Sequence, residues 1–241
     1  MQFTPVLRSE ALKVRTLRSL YGTLLAVFAV TTAFSALAGV SDTSDPDFDP
    51  LFMALSGAMP GQIAAIAFGA VAVSSEYQGN GIRLSLAAVP RRGRWFAAKL
   101  VAIAVPSLAV GLVSALAALL AARAGLGTAA SGLTAGEQVR GVVGCGVYVM
   151  LMALFAAGLT VVFRSGVATL STLIPFILVV SFVIGDVAGG VTDFLPDRAG
   201  QVVLHQTPDG TLGPWTGLAV TALWTAAAVL AGAWRLRRRD A

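Results

Sequence analysis

Charge is what this chain has least of: of 241 residues only 12% are Asp, Glu, Lys or Arg, against 56% that are hydrophobic. Lysine occurs only at positions 13 and 99, histidine only as His205 and cysteine only as Cys145. Each shortage excludes a chemistry. A Walker loop cradles phosphate with Gly-x-x-x-x-Gly-Lys followed by Ser or Thr, yet the two lysines precede Val14 and Leu100, so the chain does not bind ATP in that way. One cysteine gives neither a disulfide nor a thiolate metal cluster within the chain. Hydrolysis at membrane depth needs a nucleophile with its base, paired carboxylates or a bound metal, and no Asp or Glu falls near the middle of an apolar run. His205 reads as a surface histidine rather than a base. Buried ionisable groups and broken helices, on which ion-coupled carriers depend, are likewise not expected.

What the sequence does have is length of apolar run. Six stretches of about 19 to 26 residues each suffice for a hydrocarbon core of ~30 Å. They run from Tyr21 to Val40, Leu51 to Ser74, Phe96 to Ala122, Val139 to Phe163, Val167 to Gly185 and Trp215 to Trp234. None alternates in and out as a barrel strand would, so the expected fold is all-α, a polytopic membrane bundle of six transmembrane helices in a single domain. The first run starts too late and is too long for a signal peptide, and it is expected to stay in the mature protein.

Basic residues orient the bundle. With the amino terminus inside, one side collects Arg8, Lys13, Arg15, Arg18, Arg83, Arg91, Arg92, Arg94, Lys99, Arg164, Arg235, Arg237, Arg238 and Arg239, and the other only Arg123, Arg140 and Arg198. The positive-inside rule then places both termini in the cytosol. The net charge of +5 is explained by topology and anionic lipid, so no nucleic-acid partner is expected. Arginine at fifteen positions against lysine at two, with abundant Ala and Gly, points to a GC-rich bacterial genome.

Between the runs, residues 1–20 read as a helix in the cytosolic interface, started by Thr4-Pro5 with Leu7, Ala11 and Val14 on one face, or else as a loose basic tail. Asp42 to Pro50 is acidic and reads as turns with capping carboxylates; four carboxylates close together suit calcium, but the distal Glu of a calcium loop is missing. Pro60, Pro106 and Pro175 lie inside spans, and Gly57 with Gly61 makes a small-xxx-small pair, features of hinges or of close helix packing. Residues 186–214 mix Phe194, Leu195, Val202, Val203 and Leu204 with charge, as an outer interfacial or re-entrant segment does.

The most informative stretch is Ser74 to Arg92, in the cytosolic loop of residues 75–95. Ser74 and Ser75 close the second span, and Glu76-Tyr77 follows at the interface, where the ring meets headgroups and the carboxylate meets water. Gln78-Gly79-Asn80-Gly81 is a turn. Asn80 or Gly81 then caps a short helix that places Ile82, Leu86 and Val89 on one face with Arg83 and Ser85 on others, until Pro90 ends it. Arg91, Arg92 and Arg94 hold that end in the cytosol, and Trp95 re-enters the membrane at headgroup depth.

This stretch resembles the corresponding region of the permeases of the type-2 ABC exporter family: a Glu-aromatic pair, a turn, an Ile-x-x-x-Leu helix, then Pro and a basic cluster. Glu76, Tyr77, Ile82, Leu86, Pro90, Arg91 and Arg92 match it in turn, while Asn80-Gly81 stands where the family has Gly-Thr. The six spans, the interfacial first helix and the outer Phe194-Leu195-Pro196 element extend the likeness over the chain. The resemblance implies that the short coupling helix docks on a separate ABC ATPase that binds the ATP and magnesium, this chain holding no cofactor. It also implies two permease copies with two ATPases, in the bacterial cytoplasmic membrane. A hydrophobic or amphipathic cargo, moved by alternating access, suits a bundle without buried charge. The competing reading is a non-transporting scaffold or sensor subunit that uses the same loop to recruit a cytosolic partner.

Overall fold

The computed structural model describes residues 3–38, 48–77, 91–126, 132–181, 189–207 and 210–238. Helices α1 (Phe3–Thr16) and α2 (Arg18–Ala38) come first, then α3 (Pro50–Leu55) and α4 (Ala58–Ser74), followed by α5 (Arg92–Leu126) and α6 (Ala135–Phe163). Helix α7 (Gly166–Pro175) loosens into a π-helical turn, Phe176–Val180. An outer element follows, made of a 3₁₀ turn at Gly189–Phe194, α8 (Pro196–Gln201) and a second 3₁₀ turn at Val202–Leu204, before α9 (Pro214–Arg238). No strand occurs among the described residues.

Five of these units are long and apolar enough to cross a membrane: α2, α3 continued by α4, α5, α6 and α9. The sixth apolar run appears as the shorter stretch Gly166–Val179. The protein is thus a polytopic helical bundle, with Leu25, Leu116, Leu120, Leu223 and Leu230 turned outward as hydrocarbon requires. The helices outrun the apolar windows of the sequence. Arginine is a good helix former although it is excluded from a hydropathy window, so α5 reaches 35 residues, about 52 Å.

Helix α6 lies at the centre, packed on α4, α5 and α9. Its start is specified locally: the Thr134 side chain accepts from Glu137 N while the Glu137 carboxylate accepts from Thr134 N, a reciprocal capping box. Its end turns at Arg164, whose φ of 57° is the left-handed conformation of a helix C-cap. Ser165 then caps α7 by accepting from Ala168 N.

The prolines and glycines separate into packing and breakage. Pro106 sits inside a continuous α5, and Pro60 lies in the first turn of α4, where no N–H is required. Pro175 closes α7, and the backbone beyond it is π-helical, so here a span does break. A second break separates α3 from α4 at Ser56-Gly57. The Gly57 N–H is satisfied from the neighbouring helix by Ser35 Oγ at 3.1 Å, and a Cβ at Gly57 would lie 1.9 Å from the Thr31 carbonyl. The expectation of unbroken spans is therefore corrected at two places.

Candidate coupling site

At one end of the bundle α1, the last turn after α4 and the first turns of α5 converge on four charged side chains. Lys13 Nζ lies 2.9 Å from Glu10 Oε1 and 2.7 Å from Glu76 Oε1. Lys99 Nζ lies 2.5 Å from Glu10 Oε2 and 2.7 Å from Glu76 Oε1. The result is a closed ring, Glu10–Lys13–Glu76–Lys99, in which every neighbour has the opposite sign. The Glu10 Oε2 contact is an ion pair outside hydrogen-bond geometry; the other three are hydrogen bonds. Glu10, Glu76 and Lys99 are buried at 2%, 5% and 4% exposure, and the half-buried Lys13 is the member that reaches solvent.

Burial pushes the Glu76 carboxyl up, but Lys99 and Lys13 outweigh it and hold its pKa below the ordinary value. For Lys13, burial pulls the pKa down and the bonds to Glu76 and Glu10 more than reverse it. Both groups are thus held charged.

The ring corrects three readings of the sequence. Glu76 does not meet water; it is enclosed by protein and paired with both lysines. Lys99 is a buried partner rather than a surface orientation charge. Trp95, at 1% exposure, turns into the protein instead of toward headgroups, with Lys99 Nζ 5.9 Å from its ring centroid. Tyr77 is also drawn inward. It packs on the core, and its hydroxyl pKa is raised by burial against the pull of Arg164 and Arg235. Helix α1 buries Val6 and Glu10, a face one residue away from the Leu7–Ala11 stripe.

Of the remaining residues assigned to the site, Arg92 donates to the Leu236 carbonyl at 2.9 Å and so ties the start of α5 to the end of α9, while Arg91 is exposed. Ile82, Arg83, Leu86, Val89 and Pro90 lie outside the described residues. The sequence reading passed over Glu10, Lys13 and Lys99 as partners, although a signal was present. Where fifteen basic positions carry arginine, both lysines of the chain stand in the ring, beside two of the three acids on that side. A compact ammonium with three donors bridges two carboxylates where a planar guanidinium would need room for its fork.

The opposite end is closed by a second polar cluster. Asp49 caps α3 by accepting from Phe52 N at 2.9 Å, and its other oxygen accepts from Gln206 N at 2.8 Å and lies 3.3 Å from His205 Nδ1. The His205 ring stacks on Phe52 with centroids 4.2 Å apart. Arg140 donates to the His205 and Gln206 carbonyls. Every partner of His205 here is structural.

Between the two ends, Tyr148 on α6 donates to Gln62 on α4 and accepts from Gln201 of the outer element. Asp197, buried at 3% exposure, accepts from Ser181, which corrects the expectation of no buried ionisable group. Gln62 and Gln201 help line a cavity of ≈ 740 Å³ whose other walls include Phe34, Met59, Ile63 and Ile177. Among the described residues no three His, Cys, Asp or Glu side chains converge as metal ligands.

Acid is expected to weaken both ends. For Asp49 burial raises the pKa, and His205 with the Phe52 N–H more than offsets it, so the carboxyl ionises below its ordinary 3.8; Glu76 likewise ionises below its ordinary 4.5. Each stabilising contribution is whole above the ordinary value and is lost as pH falls through the lower folded-state value. Thermal unfolding in detergent should therefore show Tm dropping below about pH 4. Asp49→Asn should unfold earlier at neutral pH and show a shallower acid drop; an unchanged acid profile would remove Asp49 as a contributor.

The fold and this site define a multi-pass membrane helix bundle with a charged cluster at each end. Residues 6–186 match the family described as ABC-2 family transporter protein, three quarters of the chain, and the chain belongs to that family as a membrane subunit of an ABC transporter. Membrane subunits of this family work with an ATPase partner and are themselves normally non-catalytic. A search of curated proteins finds no match.

Proposed function

We propose that this chain is the membrane-spanning subunit of a bacterial exporter, moving a hydrophobic or amphipathic substrate by alternating access while a separate ABC ATPase binds ATP and magnesium. Two copies of the chain form the complex, both termini face the cytosol, and residues 76–92 receive the motor. The observation that carries this reading is the position of Glu76: a carboxylate held by two lysines just past the end of α4, immediately before residues 78–90 in the sequence. A loop anchored so firmly at its root is suited to pass a push to the helices it joins. The cavity, with apolar walls and a polar side that carries Asp193, Asp197 and Arg198 as well as Gln62 and Gln201, supports the amphipathic class of substrate.

Leu86→Asp tests the assignment. On a docking face an aspartate would be buried without a partner and cost several kcal/mol, whereas on a solvated loop it would cost little, roughly 0.5 kcal/mol or less. The variant should reach the membrane at the parent level and lose the ATPase on co-purification. Normal expression with full retention of the ATPase would remove residues 76–92 as the docking element. Hydrolysis insensitive to every hydrophobic or amphipathic compound offered to an intact complex would turn the assignment to the scaffold.

A further inference from the structure

The charge ring does more than steady Glu76. It joins three segments far apart in the chain, and two of its four contacts, Glu10–Lys99 and Lys13–Glu76, reach across from α1, a helix that precedes the membrane spans. Undocking α1 would break both of these cross-contacts at once, leaving the buried Lys99 with one ring carboxylate in place of two and Glu10 with the ammonium of its own helix alone. Elsewhere α1 offers a modest grip: apart from Glu10 its fully buried side chain is Val6. The ring is therefore the principal specific link between α1 and the root of the loop.

We propose that Glu10 and Lys99 are positioning residues that lock α1, the segment around Glu76 and the start of α5 into one transmission unit, so that α1 travels with the loop when the ATPase closes. The proposal rests on the reading of residues 76–92 as the motor-binding element. Its physical basis is that α1 cannot shift alone without giving up Glu10–Lys99 and Lys13–Glu76 together, two charge contacts made largely out of water, where each is worth more than at a surface. The unit moves whole or both cross-contacts are lost together. A lone surface pair would slip easily; this arrangement, with three members at 5% exposure or less, would not.

The test uses the full chain in complex with its co-purifying ATPase, in a Cys145→Ala background, with spin labels at the exposed positions 12 and 97 on α1 and α5. Distances are read without nucleotide and after trapping with ATP and orthovanadate. The native ring should give one narrow distance common to both states. Glu10→Gln with Lys99→Met removes one charge of each sign, leaves the Lys13–Glu76 pair and keeps the chain foldable; here the distribution should broaden and differ between states. Reversing all four signs (Glu10→Lys, Lys13→Glu, Glu76→Lys, Lys99→Glu) rebuilds the alternation and should restore the narrow distance. A native distance that changes by more than about 5 Å, the rise of one helical turn, overturns the proposal, as does a neutralised variant indistinguishable from native. Failure of the native chain to retain any ATPase would instead sink the underlying motor-binding reading, and the inference with it.

Discussion

Lys99→Met alone is expected to deplete the membrane of folded chain. Methionine is unbranched like lysine, one atom shorter, and suits the apolar surroundings of Trp95, so the loss comes mainly from charge rather than shape. Glu10 and Glu76, buried at 2% and 5% exposure, would lose the ammonium they share and keep Lys13 as the remaining lysine of the ring. Breaking a buried pair by removing one partner costs about 3–5 kcal/mol, a large part of a total stability on the order of 5–15 kcal/mol. Abundance in isolated membranes and Tm in detergent measure the loss. Adding Glu10→Gln to the same variant should recover most of both, since a balanced neutral replacement of a buried pair is often tolerated. A single variant as abundant and as stable as the parent would show that the ring carries little of the fold. Lys99→Arg should fall between, because a planar guanidinium is poorly shaped to lie between two carboxylates.

The second large effect is expected at Gly69. A Cβ there would sit 1.9 Å from the Ala153 carbonyl oxygen and 2.8 Å from its carbon, so α4 and α6 meet backbone to backbone. In a membrane, where lipid is as apolar as leucine, such close approach is a main source of helix association. Gly69→Leu has no flexible neighbour to displace and must push two helices apart, costing about 3 kcal/mol or more. Gly22→Leu is the matched control: it has nothing within 4 Å, lies exposed on α2 and should leave Tm unchanged. Equal behaviour of the two variants would mean that the α4–α6 contact is looser than the structure shows.

Much of the architecture was legible because hydrocarbon is an undemanding reader of sequence. The apolar runs coincide with α2, α3–α4, α5, α6, the α7 region and α9, and Asp49 stands as a cap where the acidic turn-rich stretch suggested one. Chain ends of helices were less legible, since arginine-rich turns continue a helix without registering as apolar. Gly57 and Gly61 announced a close contact but not its partner, which turned out to be Thr31 on α2.

By itself, then, the sequence determined that the chain is an all-helical membrane protein with a Glu-Tyr pair at the exit of its second apolar run. Those properties are additive along the chain: hydropathy, charge sign and cap chemistry each depend on neighbours a few positions away. Only the tertiary structure decided that Glu76 is buried. Its solvation depends on Glu10, Lys13 and Lys99, brought from 66, 63 and 23 positions away, and a carboxylate beside an apolar span reads identically whether water or an ammonium completes it. The same holds for Trp95 and Tyr77. Amphipathic side chains at a membrane boundary are equally content against headgroups or protein, and the choice between them is made by packing.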